Sequence, residues 1–266
     1  MSAPHSAQLS ELRELAVELA ERAAAIHREG RERGFEVTQK SGAANLVTEI
    51  DRAAELAIVE GIVAARPTDA ILGEEGTDRV GSSDVRWVID PLDGTASYVR
   101  GYPTSCVSIG VEIGGEPAIG VVLDAIGRRT EGVVGEGAVR DGRPINPSAR
   151  TSLEGAVLAT GFGYEVEQRV AEARTLVELI GRIADIRRSG SAAFDLVAAA
   201  CGEVDAYFEL FLAPWDAAAG RAIVLAAGGA FRQVEQPDGE VLTVASPTQL
   251  LEPILALLSD AGLTTS

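Results

Sequence analysis

Histidine is almost missing from this chain of 266 residues, which holds only His5 and His27. Neither stands near Cys or Asp at metal-ligand spacing, which argues against a zinc site. A Ser-His or Cys-His nucleophile also lacks its usual base, so the chemistry should run on carboxylates. Positive charge is scarce too: 23 Lys and Arg face 40 Asp and Glu, for a net charge of -17. Such a surface repels phosphate backbones and anionic lipid, which argues against direct nucleic-acid or membrane partners. An acidic protein handling a phosphorylated substrate needs metal ions to offset that repulsion locally. Two cysteines, Cys106 and Cys201, lie in apolar segments and read as buried free thiols rather than a disulfide. No run of eighteen apolar residues and no charged-then-apolar leader occurs, which predicts a soluble, cytoplasmic protein.

What is present is a layered pattern. With 46% hydrophobic residues, the chain can build one large domain or two closely packed halves. Leu9, Leu12, Leu15, Ala16, Leu19, Ala23 and Ile26 recur at helical spacing. From Arg28 to Asp51 the period is lost, and the segment reads as an irregular hairpin or loop. Thr48 followed by Asp51 resembles an N-cap opening a helix that stops at Pro67. Short strands fit 70–73 and 86–90, and the Gly-punctuated apolar runs from 105 to 135 suggest an antiparallel meander. The stretch "RDGRPINPS" is the candidate boundary between an N-terminal α+β half, 1–145, and a C-terminal α/β half, 146–266. In the second half strands fit 155–162, 186–189 and 205–211. Helices fit 167–183, 192–201, 217–229 and 249–262. The fold class is a layered α/β protein.

The segment Trp87–Ser97, "WVIDPLDGTAS", runs apolar residues into Asp90, Pro91, Asp93, Gly94 and Thr95. Asp-Pro and Asp-Gly are turn dipeptides, so a plain turn is one reading. The other starts from position: the carboxyl end of a strand is where α/β sheets place ligands. Pro91 would force a turn that swings Asp93 back towards Asp90, and two close carboxylates need a cation between them. A helix starting near Thr95 would point its free N–H groups at an anion. Two residues separate the acids, so the aspartyl-phosphate motif, with its single spacer, is out of register. Glu74 and Glu75 end another strand, and Asp216 stands at the mouth of a helix. Alone, these read equally as a solvated pair and a helix cap.

Together these segments resemble the inositol monophosphatase family. "WVIDPLDGT" (87–95) is similar to its first motif and "PWDAAAGRAIVLAAGG" (214–229) to its second. "GEE" (73–75), "NLVTEID" (45–51) and "RRSGSAAFDL" (187–196) fall in the family's order. The resemblance implies a five-layered αβαβα fold, a homodimer, and Mg²⁺-dependent, Li⁺-sensitive hydrolysis of a phosphate monoester by a metal-activated water. Two or three ions would be held by Glu74, Asp90, Asp93, Asp216 and the carbonyl of Leu92, hard oxygen donors of the kind Mg²⁺ prefers. Asp51 and Thr95, with Glu74, would activate the water, and the amides of Gly94 and Thr95 would hold the phosphate. Lys40 would close a loop over the metals, while Gly190, Ser191, Ala192 and Glu209 would meet the substrate beside Asp93 and Asp216. Ala96, Ser97 and Asn45 depart from the family pattern without touching the implied ligands.

Within that resemblance myo-inositol 1-phosphate is the first substrate to expect, since a carboxylate such as Glu209 accepts hydroxyl hydrogens from a vicinal diol. Histidinol phosphate, fructose bisphosphate and a 3′-phosphonucleotide are alternatives, the last disfavoured by 5% aromatic content. A partner-binding role in an RNA-processing or transcription complex is the other class. At -17 it would work through protein contacts.

Overall fold

The computed structural model describes residues 3–41 and 45–265; the side chains of His5 and Asn45 lie outside what it describes. The first helix, α1 (Ala3–Arg33), runs past the point where the apolar period fades. The expected loop from Arg28 is therefore shorter, and begins only at Gly34. Gly30 explains part of this, since a Cβ there would stand 2.5 Å from Ile50 Cδ1. The absent side chain lets the last turn of α1 pack closely. A hairpin follows, β1 (Val37–Ser41) against β2 (Asn45–Thr48).

Helix α2 (Glu49–Ala65) opens on the anticipated cap and stops before Pro67. Strands β3 (Ala70–Gly73), β4 (Asp78–Arg79) and β5 (Val85–Asp93) come next, then the short α3 (Thr95–Arg100). The meander is β6 (Cys106–Ile113), β7 (Glu116–Asp124), β8 (Arg129–Val133), β9 (Gly137–Arg140) and β10 (Arg143–Pro144). These join in one sheet of order β10-β9-β8-β7-β6-β5-β3-β4. The second half contributes β11 (Val157–Thr160), α4 (Val166–Leu179), β12 (Asp185–Arg187), α5 (Ala192–Ala200), β13 (Ala206–Glu209) and α6 (Pro214–Ala226). Two strands not anticipated from sequence, β14 (Gly229–Glu235) and β15 (Val241–Pro247), precede α7 (Leu251–Asp260). Its sheet has the order β12-β11-β13-β15-β14.

Helices α1 and α2 cover one face of the larger sheet, with Leu12, Leu19, Ile58, Trp87 and Ile109 buried between them. Helices α5 and α6 lie between the two sheets, and α4 and α7 cover the outer face of the smaller one. This is the five-layered αβαβα arrangement. Helix α6 reaches the floor of the larger sheet because Gly110 and Gly120 face it. Added Cβ atoms would fall 2.7 Å from Ala218 Cβ and 2.2 Å from the Ala219 carbonyl. The close approach brings the start of α6 to the end of β5, where the acids converge. Cys106 is a buried free thiol as expected, whereas Cys201 is only partly buried.

Candidate active site

Residues three apart on a regular strand point to opposite faces. On β5, Asp90 pairs with Ser108 but Asp93 pairs with Cys106, so three steps on one strand match two on the other. The extra residue is a bulge, and it returns both carboxylates to one side. The turn expected at Pro91 is thus a bulge within a continuing strand. Two contacts pin it. The N–H of Leu92 donates to Asp90 Oδ1 at 2.9 Å, and the buried His27 ring on α1 meets the Pro91 carbonyl at 3.0 Å. Burial first, with Arg31 and Arg28 nearby, lowers the pKa of His27 to about 4, so it is neutral and its Nε2–H donates.

Two further acids come from helix starts. Asp51 is the third residue of α2, and its Oδ2 accepts from the Thr48 N–H at 2.7 Å and the Thr48 hydroxyl at 2.5 Å. Its other oxygen, Oδ1, accepts from the Thr95 hydroxyl at 2.8 Å. The same hydroxyl lies 3.1 Å from the Leu92 carbonyl. Asp216, third in α6 after Pro214, accepts from the Ala213 N–H at 2.6 Å through Oδ2. The cap reading of Asp216 therefore holds alongside its convergence with the β5 acids. Asp93 Oδ2 is held by the Ser191 hydroxyl and the Ala193 N–H, each at 2.7 Å, at the start of α5. Gly94 turns the chain from β5 into α3 at φ 81°, where a side chain would be strained, and a Cβ would crowd the Gly190 carbonyl at 3.1 Å.

Asp90, Asp93 and Asp216 each offer an oxygen within 4.8 Å of the others. Burial, then Glu74, Asp93 and Asp216, drives the Asp90 pKa well above the carboxylate range. Burial and then Asp93 do the same to Asp216. Asp93 rises to about 7 through burial first, against the hydrogen bonds from Ser191 and Ala193. Three acids crowded out of water retain protons unless a cation replaces them. A set of hard oxygen donors fits Mg²⁺ better than a soft metal. Glu74, half-buried beside them, is paired with Lys40 at 2.8 Å, and the same ammonium reaches Glu75. Burial opposes the charge of Lys40, but the two glutamates outweigh it and raise its pKa.

The sequence profile of the inositol monophosphatase family matches residues 8–261. The chain belongs to that family. It is 39% identical over 236 residues to the protein named Nus factor SuhB from Salmonella typhimurium, covering 85% of this chain and 86% of that one. It is also 39% identical over 224 residues to inositol monophosphatase 3 of Solanum lycopersicum, covering 81% and 83%. The crystal structure of the extragenic suppressor protein suhB from Bartonella henselae superposes with a TM-score of 0.85 at 30% identity, over 95% of this chain and 98% of that one. The family is one of phosphatases that generally use Mg²⁺, and the acidic cluster is a donor set for it.

In this family setting the remaining expected residues fall on two sides. Glu209, at the end of β13, accepts from the Tyr207 hydroxyl at 2.6 Å. Burial above all, with Asp216, Asp195 and Glu172 adding to it, raises its pKa to about 8. Ser191 caps α5 and spends its hydroxyl on Asp93 and the Phe194 N–H, at 2.7 and 3.1 Å. The loop expected to meet substrate, Gly190 to Ala192, is thereby tied to the acidic cluster through Asp93. Ala96 has no counterpart interaction, while Ser97 donates to the Ser189 carbonyl at 3.2 Å, so the departure from family pattern ties α3 to this loop. Sequence reasoning missed Glu55. It is buried on α2, accepts from the Glu75 and Thr77 N–H groups at 2.7 and 3.1 Å, and holds the turn that carries Glu74. An acid four residues after Asp51 in an otherwise apolar helix face was the available clue. No helix among the described residues is long and apolar enough to cross a membrane.

Proposed function

We propose that this chain is a Mg²⁺-dependent phosphate monoesterase that hydrolyses myo-inositol 1-phosphate. The observation that carries the reading is the Thr95–Asp51 hydrogen bond of 2.8 Å beside three converging carboxylates. Asp90, Asp93, Asp216, Glu74 and the Leu92 carbonyl would hold two or three ions, with Lys40 closing over the glutamate side. When bound, Mg²⁺ supplies Lewis-acid polarisation of the phosphate and of the attacking water. Thr95 Oγ1 takes the proton of that water as it passes its own to Asp51 Oδ1. Burial, the largest influence on Asp51, raises its pKa and makes it the better base. The amides of Gly94 and Thr95 orient the phosphate; the oxygen–phosphorus bond to the inositol breaks as the water oxygen bonds phosphorus, and the departing oxygen takes a proton from solvent water.

Glu209 reads the alcohol, accepting hydroxyl hydrogens, with the loop Gly190, Ser191 and Ala192 lining the same side. In this reading the halves 1–145 and 146–266 contribute catalytic and recognition groups respectively, with Asp216 the crossover. The protein works as a cytoplasmic homodimer inhibited by Li⁺. A second reading rests on the identity to a protein named Nus factor: a partner role in transcription, through protein contacts given the charge of -17. The two are separated by kcat/KM for Glu209→Gln on inositol 1-phosphate and on 4-nitrophenyl phosphate, which has no hydroxyls. At pH 9, above the Glu209 pKa of about 8, we expect a loss of about 1.5–3 kcal/mol on the first only, the value of a hydrogen bond to a charged group. Equal losses on both would remove Glu209 from substrate recognition, and no turnover of any phosphate ester with Mg²⁺ would leave the partner role standing.

A further inference from the structure

Behind Glu209, away from the acidic cluster, a second carboxylate is buried that the proposed reaction does not use. Glu172 on α4 is only 8% exposed. Its Oε2 accepts from the Gly163 N–H at 2.8 Å, but its Oε1 is inaccessible and has no hydrogen-bond partner among the described residues. A carboxylate oxygen in that condition is costly, and such groups in folded proteins are satisfied by protein or by ordered water. Glu172 and Glu209 line the same narrow cavity, together with Thr160, Gly161, Thr175 and Phe208. Its free space of about 10 Å³ is close to the minimum that admits one water. Residue 161 is glycine, and a Cβ there would sit 2.0 Å from Glu209 Oε1, so the Glu209 carboxylate packs directly against this backbone.

Ionised, the two carboxylates that line this space are acceptors only. Glu209 Oε2 is occupied by Tyr207, and among the described residues no hydrogen bond reaches its Oε1. A water has two hydrogens and can donate one to each carboxylate. We propose that Glu172 is a positioning residue for substrate selection: through one buried water it shares with Glu209, it fixes the orientation of the carboxylate that reads polyol hydroxyls. This rests on the reading of Glu209 given above. The pairing also ties the two charges together. The charged groups around Glu209 are Asp216, Asp195, Glu172 and the Tyr207 hydroxyl, and those around Glu172 are Arg188 and Arg169. Glu172 adds to the rise in the Glu209 pKa, so neutralising Glu172 would let Glu209 ionise at lower pH.

The test is the pH dependence of kcat/KM in the full-length protein with Mg²⁺, for wild type, Glu172→Leu, Glu172→Gln and Glu209→Gln. Inositol 1-phosphate, the amino alcohol ester histidinol phosphate and 4-nitrophenyl phosphate are the substrates. Glu172→Leu should lower kcat/KM about tenfold on whichever donor-bearing ester the wild type prefers, and less than about twofold on 4-nitrophenyl phosphate. Glu172→Gln keeps an acceptor for Gly163, so it guards against loss of fold. It should move the acidic limb of the preferred ester's profile to lower pH, a shift that a purely structural role would not produce. Equal losses on all three substrates, or an unmoved limb with unchanged rates, would overturn the proposal. If Glu209→Gln is impaired while both Glu172 variants match wild type, only the role of Glu172 falls. If Glu209→Gln is itself unimpaired, the reading of Glu209 falls and this proposal with it.

Discussion

Replacing Asp93 with Asn should abolish turnover and at the same time stabilise the metal-free protein. Asp93 is 7% exposed, and its pKa climbs from 3.8 to about 7, because of burial first and then the charges of Glu74 and Asp195, against the hydrogen bonds from Ser191 and Ala193. Below pH 4 the carboxyl is protonated in both the folded and unfolded chain, so its burial carries no ionic penalty. As pH rises towards 7 the unfolded chain loses this proton while the folded one keeps it, and stability falls; above 7 the penalty is complete. A shift of this size, at 1.36 kcal/mol per unit, sets a ceiling of about 4 kcal/mol. Asp90 and Asp216 respond to the same change, so about 2–4 kcal/mol is the expected gain for Asp93→Asn at pH 8. The amide oxygen can still accept from Ser191 and Ala193, so little is lost in exchange. Urea unfolding in EDTA at pH 8 and pH 5 measures this, with the gain smaller at pH 5. A variant less stable than wild type at pH 8, or a pH-independent difference, would show that the acidic cluster is not under electrostatic stress.

Mg²⁺ should act in the same direction as that substitution, raising the thermal midpoint of the wild type at pH 8 with release of protons, as titration in weakly buffered solution would register. A midpoint indifferent to Mg²⁺ would count against the cluster as its site. Ser191→Ala should destabilise the fold by about 1–3 kcal/mol, since it removes a hydrogen bond to a charged acceptor and a helix cap; unchanged urea midpoints would contradict both contacts. Gly94→Ala should cost about 1–2 kcal/mol for the left-handed backbone alone, with further loss from the 3.1 Å approach to Gly190. A variant as stable as wild type would mean the turn can relax.

The four acids most visible in the sequence stand at or near the ends of elements, and that made them legible. Asp90 and Asp93 follow a buried run and precede Gly-Thr; Asp51 and Asp216 follow Thr48 and Pro214 in helix-opening positions. The approach of Asp93 to Asp90 was expected through Pro91, by a turn where the structure has a bulge; the approach of Asp216 could not be read from spacing, because the sinking of α6 onto Gly110 and Gly120 is a tertiary fact. Strands β14 and β15 escaped because Phe231 to Glu235 carries Arg, Gln and Glu on an edge strand, which blurs any alternation. The turn residues Pro237, Asp238 and Gly239 between the two strands were the missed clue. Glu172 was invisible for a different reason. A single acid on a charged helix looks solvated, and only the fold turns it inward beside Glu209.

Asp51 divides its two oxygens between the opening of α2 and the hydroxyl of Thr95, and that has a bearing on how this chain could lose its chemistry. In the proposed reaction a change at Asp51 would strike scaffold and chemistry together, because the helix cap goes with the base. Asp93→Asn would strike the proposed chemistry while keeping an acceptor for Ser191 and Ala193, and it relieves a crowded interior. Mutational drift under selection only for a folded partner surface should therefore erase Asp93 early and keep Asp51 long after catalysis has gone. Among descendants of such a chain, a surviving Asp51 says little about activity, while a surviving Asp93 is the mark of an enzyme still in use.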